Sequence, residues 1–225
     1  QDDNSLLKKF EGVFTHSESI RHFDALVGYF RTSGYFKVRA FLDKIPRIRI
    51  LVGINVDTLI KKYHDKGQLY LDNPDETKQD FLADIIKNIQ EADYDEVTEN
   101  GIIQFIKDLT DGKIELRAHP KKKIHANVYI FRPVPFNEYA PCEVITGSSN
   151  LTDAGLGANP ESNYEFNVSL RDYEDVKYAT EEFERLWNES VPILHAEAQR
   201  IKEQTYLRDD FNHFELYIKM LIEYF

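Results

Sequence analysis

His125 and Asn127 stand in Lys123-Ile-His-Ala-Asn-Val-Tyr-Ile-Phe131, a run of polar residues set among β-branched and aromatic ones. An imidazole can act as nucleophile or proton carrier near neutral pH, and an amide can both donate and accept hydrogen bonds. A second cluster, Thr146-Gly-Ser-Ser-Asn-Leu-Thr152, follows another short apolar run. Gly147 lets backbone approach a ligand closely, Ser148 and Ser149 offer hydroxyls, and Asn150 offers two donors and an acceptor. These groups suit an anionic oxygen such as a phosphate. A third piece, Asn163-Tyr-Glu165, adds a carboxylate.

Such residues need rigid elements behind them, and the patterning supplies strands. Side chains two apart on a strand share a face, so His125, Asn127 and Tyr129 are expected on one side and Ala126, Val128 and Ile130 on the other. The same rule sets Glu165, Asn167 and Ser169 opposite Phe166, Val168 and Leu170 in a strand over 164–170. Residues 23–30 and 47–54 read as buried strands joined by a helix capped by Ser33, which favours a parallel pair with a right-handed crossover. Lys113 to His119 alternates like a strand, with His119 at its end. The proline-broken stretch 131–141 reads as a connection, and Glu143 to Thr146 as the next strand. Asp172 or Tyr173 opens a helix to about Asn188 with an apolar stripe of Val176, Ala179, Phe183, Leu186 and Trp187.

Between these elements, residues 56–65, 75–90 and 95–109 follow helical patterns, with Gly67 as a stop after the first. They form an expected helical insertion at about 56–111 covering one side of the sheet. Ten acids between Asp72 and Glu99 face only Lys78 and Lys87. The acids follow no ligand spacing, and a solvated helical face explains them better than a metal site. Residues 193–204 are expected to be helical, and Phe214 to Phe225 is an apolar helix without a stop signal, expected to lead into further chain.

The chain has 225 residues, 42% hydrophobic, with one cysteine and a net charge of −11. One cysteine, Cys142, allows no internal disulfide and no cysteine-based zinc site, which suits a reducing cytoplasm. No apolar run reaches the roughly twenty residues needed to cross a bilayer, and Gln1-Asp-Asp-Asn lacks the features of a signal peptide. The acidic balance opposes diffuse phosphate binding, so contact with nucleic acid requires a local basic patch. Arg117 with Lys121, Lys122 and Lys123 forms the one clearly basic stretch, immediately before the His125 strand.

The order His125, then Gly-Ser-Ser-Asn-Leu-Thr, then Asn-Tyr-Glu resembles the phospholipase D superfamily, in particular its nuclease-like branch. Gly28-Tyr-Phe-Arg-Thr-Ser-Gly-Tyr35 and the Ile-Arg-Ile-Leu-Val-Gly strand also resemble the phospholipase D-like module at the front of Swi/Snf-type helicases. The resemblance implies an α/β fold with a mixed central sheet flanked by helices, a phospholipase D-like domain over 1–190, and a helical extension over 191–225 leading to a helicase motor. It casts His125 as the nucleophile that forms a phosphohistidine, Asn150 as a phosphate ligand beside Ser148, and Glu165 as the carboxylate that orients the histidine. No metal or cofactor is implied.

Two positions depart from the family pattern: Asn127 replaces the lysine two residues after the histidine, and Arg132 replaces an aspartate. An amide cannot neutralise a phosphate, so activity is expected to be weakened and Asn127→Lys to restore it. A single histidine motif implies a homodimer that brings two His125 residues together. The expected partners are therefore a second copy, DNA or another phosphodiester, and the motor in the same chain, with no membrane. A catalytically inactive nucleic-acid-binding and dimerising module is the rival reading. A lipid phospholipase fits less well, with one motif copy and no membrane-seeking segment.

Overall fold

A computed structural model describes residues 5–53, 74–90, 96–120, 124–157, 164–193 and 195–205. Among them the elements run α1 (Leu6–His16), β1 (Ile20–Val27), α2 (Thr32–Arg39), β2 (Arg47–Gly53), α3 (Pro74–Gln90), α4 (Glu96–Thr110), β3 (Ile114–His119), β4 (Asn127–Pro133), β5 (Glu143–Gly147), α5 (Asp153–Leu156), β6 (Asn167–Leu170), α6 (Tyr173–Asn188), β7 (Val191–Ile193) and α7 (His195–Glu203). The strands make one mixed sheet in the order β6-β5-β4-β1-β2-β3-β7. Strands β1, β2 and β3 are parallel, and β4, β5, β6 and β7 join by antiparallel pairing. This is the expected α/β class, including the parallel β1–β2 pair.

Alternation assigns the two faces of the sheet. Phe23, Ala25, Val27, Ile48, Ile50, Val52, Tyr129 and Phe131 point into one core, which the apolar sides of α1, α2, α3, α4 and α7 close. Leu26, Leu51, Ile130 and Val144 point the other way, under Val176, Phe183, Leu186 and Trp187 of α6. Burying both faces accounts for the consecutive apolar residues Ala25-Leu-Val27 of β1 and Ile50-Leu-Val52 of β2.

The α6 face also holds charge. Arg49 donates through Nε to Asp24 Oδ1 at 2.6 Å, and through Nη2 to Asp24 Oδ2 at 2.9 Å and Glu184 Oε1 at 2.6 Å. Arg132 donates to the same Asp24 carboxylate. Asp24 and Arg49 are 0% and 1% exposed, and the Arg49 guanidinium lies over the rings of Phe183 and Trp187, 4.8 and 5.2 Å from their centres. A buried charge survives only when paired and hydrogen-bonded, and here one carboxylate on β1 serves guanidiniums from the strands on either side.

Several boundaries differ from expectation. The first strand occupies 20–27, so residues 28–31 leave the sheet as a loop, and α2 starts at Thr32 with Arg31 at its cap, Ser33 lying inside the first turn. Helix α1 was not foreseen, although Ser5 caps it and Leu6, Phe10 and Val13 recur at helical spacing. Strand β4 runs on to Pro133, and β6 starts only at Asn167. Where helix was expected from Ile193, residues 191–193 form an edge strand beside β3, a place where the missing N–H of Pro192 is tolerated. Residues 56–65 with Gly67, the acidic run at 91–95 and the terminal 214–225 segment lie outside the described residues.

Candidate active site at the strand ends

The registers bring six chain ends to one side of the sheet. Val27 pairs with Val52, Gly53 with His119, Asn127 with Gly147, and Gly147 with Asn167. The carboxyl ends of β1, β2, β3 and β5 therefore lie beside the amino ends of β4 and β6. Of the expected site residues, His125 immediately precedes β4, Ser148 and Asn150 follow β5, and Glu165 precedes β6.

His125 is exposed and lies in the non-strand segment 124–126. The expected strand from Lys123 starts instead at Asn127, so strand alternation does not extend to the histidine. What positions it is the bare backbone of two glycines. A Cβ on Gly28 would stand 2.7 Å from Ile124 O, 3.4 Å from Asn150 Oδ1 and 3.5 Å from His125 Cα. One on Gly53 would meet Ile124 Cβ at 2.7 Å. The His125 segment is thus seated on the ends of β1 and β2, with Asn150 beside it.

Asn127 is 3% exposed. Its Oδ1 accepts from the Gly28 N–H at 3.1 Å, and its Nδ2 donates to Gly147 O at 3.4 Å and Ser148 O at 2.9 Å. The amide ties the end of β1 to the end of β5, so it is committed to backbone. Asn150 does a similar service: its Oδ1 accepts from the Tyr29 N–H at 2.8 Å. The loop continues alongside, where the Arg31 N–H donates to Leu151 O at 3.1 Å and Phe30 forms a parallel bridge with Leu151.

Ser148 holds the third motif. Its hydroxyl donates to Glu165 Oε2 and accepts from the Phe166 N–H at 3.0 Å, while its own N–H donates to Phe166 O at 3.1 Å. Behind it, buried Ser149 accepts at Oγ from Asn167 Nδ2 at 2.7 Å, and its carbonyl accepts from the Tyr129 hydroxyl at 2.8 Å. Burial, with the nearby Glu165 charge second, pushes the Tyr129 hydroxyl well above its ordinary pKa. It therefore stays a neutral donor.

The structure thus gathers His125, Asn127, Ser148, Asn150 and Glu165 around one set of strand ends. Arg117 lies elsewhere. It sits on the α6 face, donating to Trp187 O at 3.0 Å with its guanidinium 4.6 Å from the Trp187 ring centre. Burial lowers its pKa, against the opposing pull of the Glu115 carboxylate and with a smaller push from the Arg49 charge. Arg117 thus packs, half-buried, against Trp187 under α6. Lys121, Lys122 and Lys123 lie outside the described residues. Sequence reasoning had not assigned roles here to Gly28, Tyr129 and Asn167, and had offered the Ser149 hydroxyl to a ligand, whereas Ser149 is buried and bonded to Asn167. Their signal was present in the alternation of 125–131 and 165–169, and in Gly28 ending an apolar run.

No curated protein matches the chain. Among solved structures, Nuc from Salmonella typhimurium, described as a phospholipase D family member, aligns at 11% identity with a TM-score of 0.44, over 83% of this chain and 89% of that one. TrmBL2, described as an archaeal chromatin protein with a novel mode of DNA binding, aligns at 15% identity with a TM-score of 0.38, over 84% of this chain and 52% of that one, so this chain spans about half of it. The family model described as "Cardiolipin synthase, PLD-like domain" matches residues 32–187. That span runs from α2 to the end of α6, takes in every strand that carries a motif residue, and is well over half of the sequence: the chain belongs to the phospholipase D-like domain family.

Proposed function

We propose that this protein is a phosphodiesterase module acting on DNA or a similar phosphodiester, with His125 as nucleophile. The reading rests above all on Gly28, against whose bare Cα both the His125 backbone and the Asn150 side chain come to rest. In the proposed reaction a ring nitrogen of His125 attacks phosphorus, forming an N–P bond as the P–O bond to the leaving oxygen breaks. A second histidine protonates that oxygen. Water then cleaves the N–P bond, releasing a phosphate monoester and regenerating the imidazole. Glu165, gripped by Ser148, orients and supports the histidine.

The second histidine is proposed to come from another copy of the chain. Phe166, just before edge strand β6, is 65% exposed, and Val168 and Leu170 on β6 are also exposed. An exposed apolar row on an unpaired edge favours association with a second copy. The module is further proposed to serve as the front part of a helicase-linked protein, as the Gly28 to Tyr35 stretch implies.

The buried Asn127 amide supports a second reading, a catalytically weak nucleic-acid-binding and dimerising module, because position 127 delivers no ammonium to the site. Cleavage of end-labelled single- and double-stranded DNA with EDTA present separates the two. Cutting that His125→Ala abolishes, with a trapped phosphohistidine on the intact chain, supports the enzyme. Salt-sensitive DNA binding without cutting supports the binding module.

A further inference from the structure

We propose that Arg31 is the phosphate-binding cation of this site, supplying the charge that Asn127 does not. The inference rests on the phosphodiester reading of His125 above. Any phosphate held against His125 needs a positive partner, and Asn127 is neutral, buried and already bonded to three backbone groups. The loop between β1 and α2 supplies one. It starts at Gly28, against which the His125 backbone rests. Tyr29 then donates its N–H to Asn150 Oδ1 at 2.8 Å, and the Arg31 N–H donates to Leu151 O at 3.1 Å. Arg31 is therefore tied at its backbone to the residue that follows Asn150.

The side chain is free to act. Arg31 is exposed, and among the described residues no carboxylate pairs with it. Its guanidinium lies 5.7 Å from the centre of the Tyr29 ring, and Tyr29 is itself 45% exposed. A guanidinium resting over an aromatic ring keeps its N–H groups unspent. By contrast, the guanidiniums of Arg39, Arg49 and Arg132 are bound to Asp108 or Asp24, and that of Arg117 to Trp187. A guanidinium offers two parallel N–H donors to two phosphate oxygens, which a lysine ammonium does not. The site would thus hold phosphate through a planar fork from the β1–α2 loop instead of a point charge from β4.

Inorganic phosphate titrated into the intact chain tests this, with the His125 ring signals followed by NMR and assigned through their loss in His125→Ala. Saturable shifts are expected in the wild type. Arg31→Ala should raise the phosphate Kd about tenfold to a hundredfold, the scale of one charge-assisted contact, and Arg31→Lys should raise it less. An unchanged far-ultraviolet spectrum and melting point for both variants confirm that the fold is intact. If Arg31→Ala and Arg31→Lys bind phosphate as the wild type does, Arg31 is not the cation, although the phosphodiester reading stands. If neither phosphate nor a phosphodiester disturbs His125 in the wild type, that reading falls and the Arg31 proposal with it.

Discussion

The side chain of Asn127 donates to the Ser148 carbonyl at 2.9 Å while accepting from the Gly28 N–H at 3.1 Å. Position 127 is therefore a tie between two strand ends. Asn127→Ala would leave those backbone groups without their partner, each worth about 1–3 kcal/mol when buried. We expect a loss of about 2–5 kcal/mol in urea denaturation. Asn127→Lys would lose the same bonds and bury an ammonium. The motif alone predicts that it gains activity; the geometry predicts that it loses stability with no gain in EDTA-resistant cleavage.

Gly28→Ala should act through shape alone. Its Cβ would stand 2.7 Å from a backbone oxygen, Ile124 O, which cannot swing aside as a side-chain tip can. The expected cost is about 1–3 kcal/mol, with the His125 NMR signals displaced. An alanine variant as stable as the wild type, with unmoved His125 signals, would show that the histidine segment is not seated there.

Acid should unfold the protein partly through Asp108. Burial opposes ionisation of this carboxyl, but hydrogen bonds from Arg39, Tyr35 and Gln104 outweigh it and hold the pKa below its ordinary 3.8. A lowered folded-state pKa means that the stabilisation is complete above about 3.8 and is lost as pH falls through the lower folded value. Asp108→Asn should be less stable at pH 7, and its stability should fall less steeply below pH 4. Denaturant midpoints measured from pH 2.5 to 7 check both slopes.

Self-association is expected to depend on β6. Phe166→Asp places a charge in the exposed apolar row and should shift the particle mass by light scattering from two chains toward one, without lowering the melting point. Equal masses for variant and wild type would locate any pairing elsewhere.

The three motifs, the parallel β1–β2 pair and the helix that covers Arg49 were legible in the sequence, because buried strands read as apolar runs and α6 as an apolar stripe. The fate of Asn127 and Arg117 was not. Alternation tells which face a side chain leaves from, but not what it meets there. Asn127 met backbone from strands about a hundred and about twenty residues away in sequence, and Arg117 met Trp187. The start of β4 was misjudged because Lys123 to Phe131 is apolar enough to pass for strand throughout, whereas the close approach of Ile124 to Gly28 and Gly53 is a tertiary fact.

The shared carboxylate of Asp24 has a consequence for how the sheet assembles. Side chains on a strand repeat every two residues, so sliding β4 by one position against β1 would swing Arg132 away from Asp24 and into the aromatic cluster of Phe10, Phe23 and Phe131. A slip of β2 would strand Arg49 in the same way. Misaligned sheets would each bury an unpartnered guanidinium, at a cost that greasy strands alone could not impose. The charges thus work as a proofreading step, discarding wrong alignments of strands whose apolar runs would otherwise pair almost equally well in several.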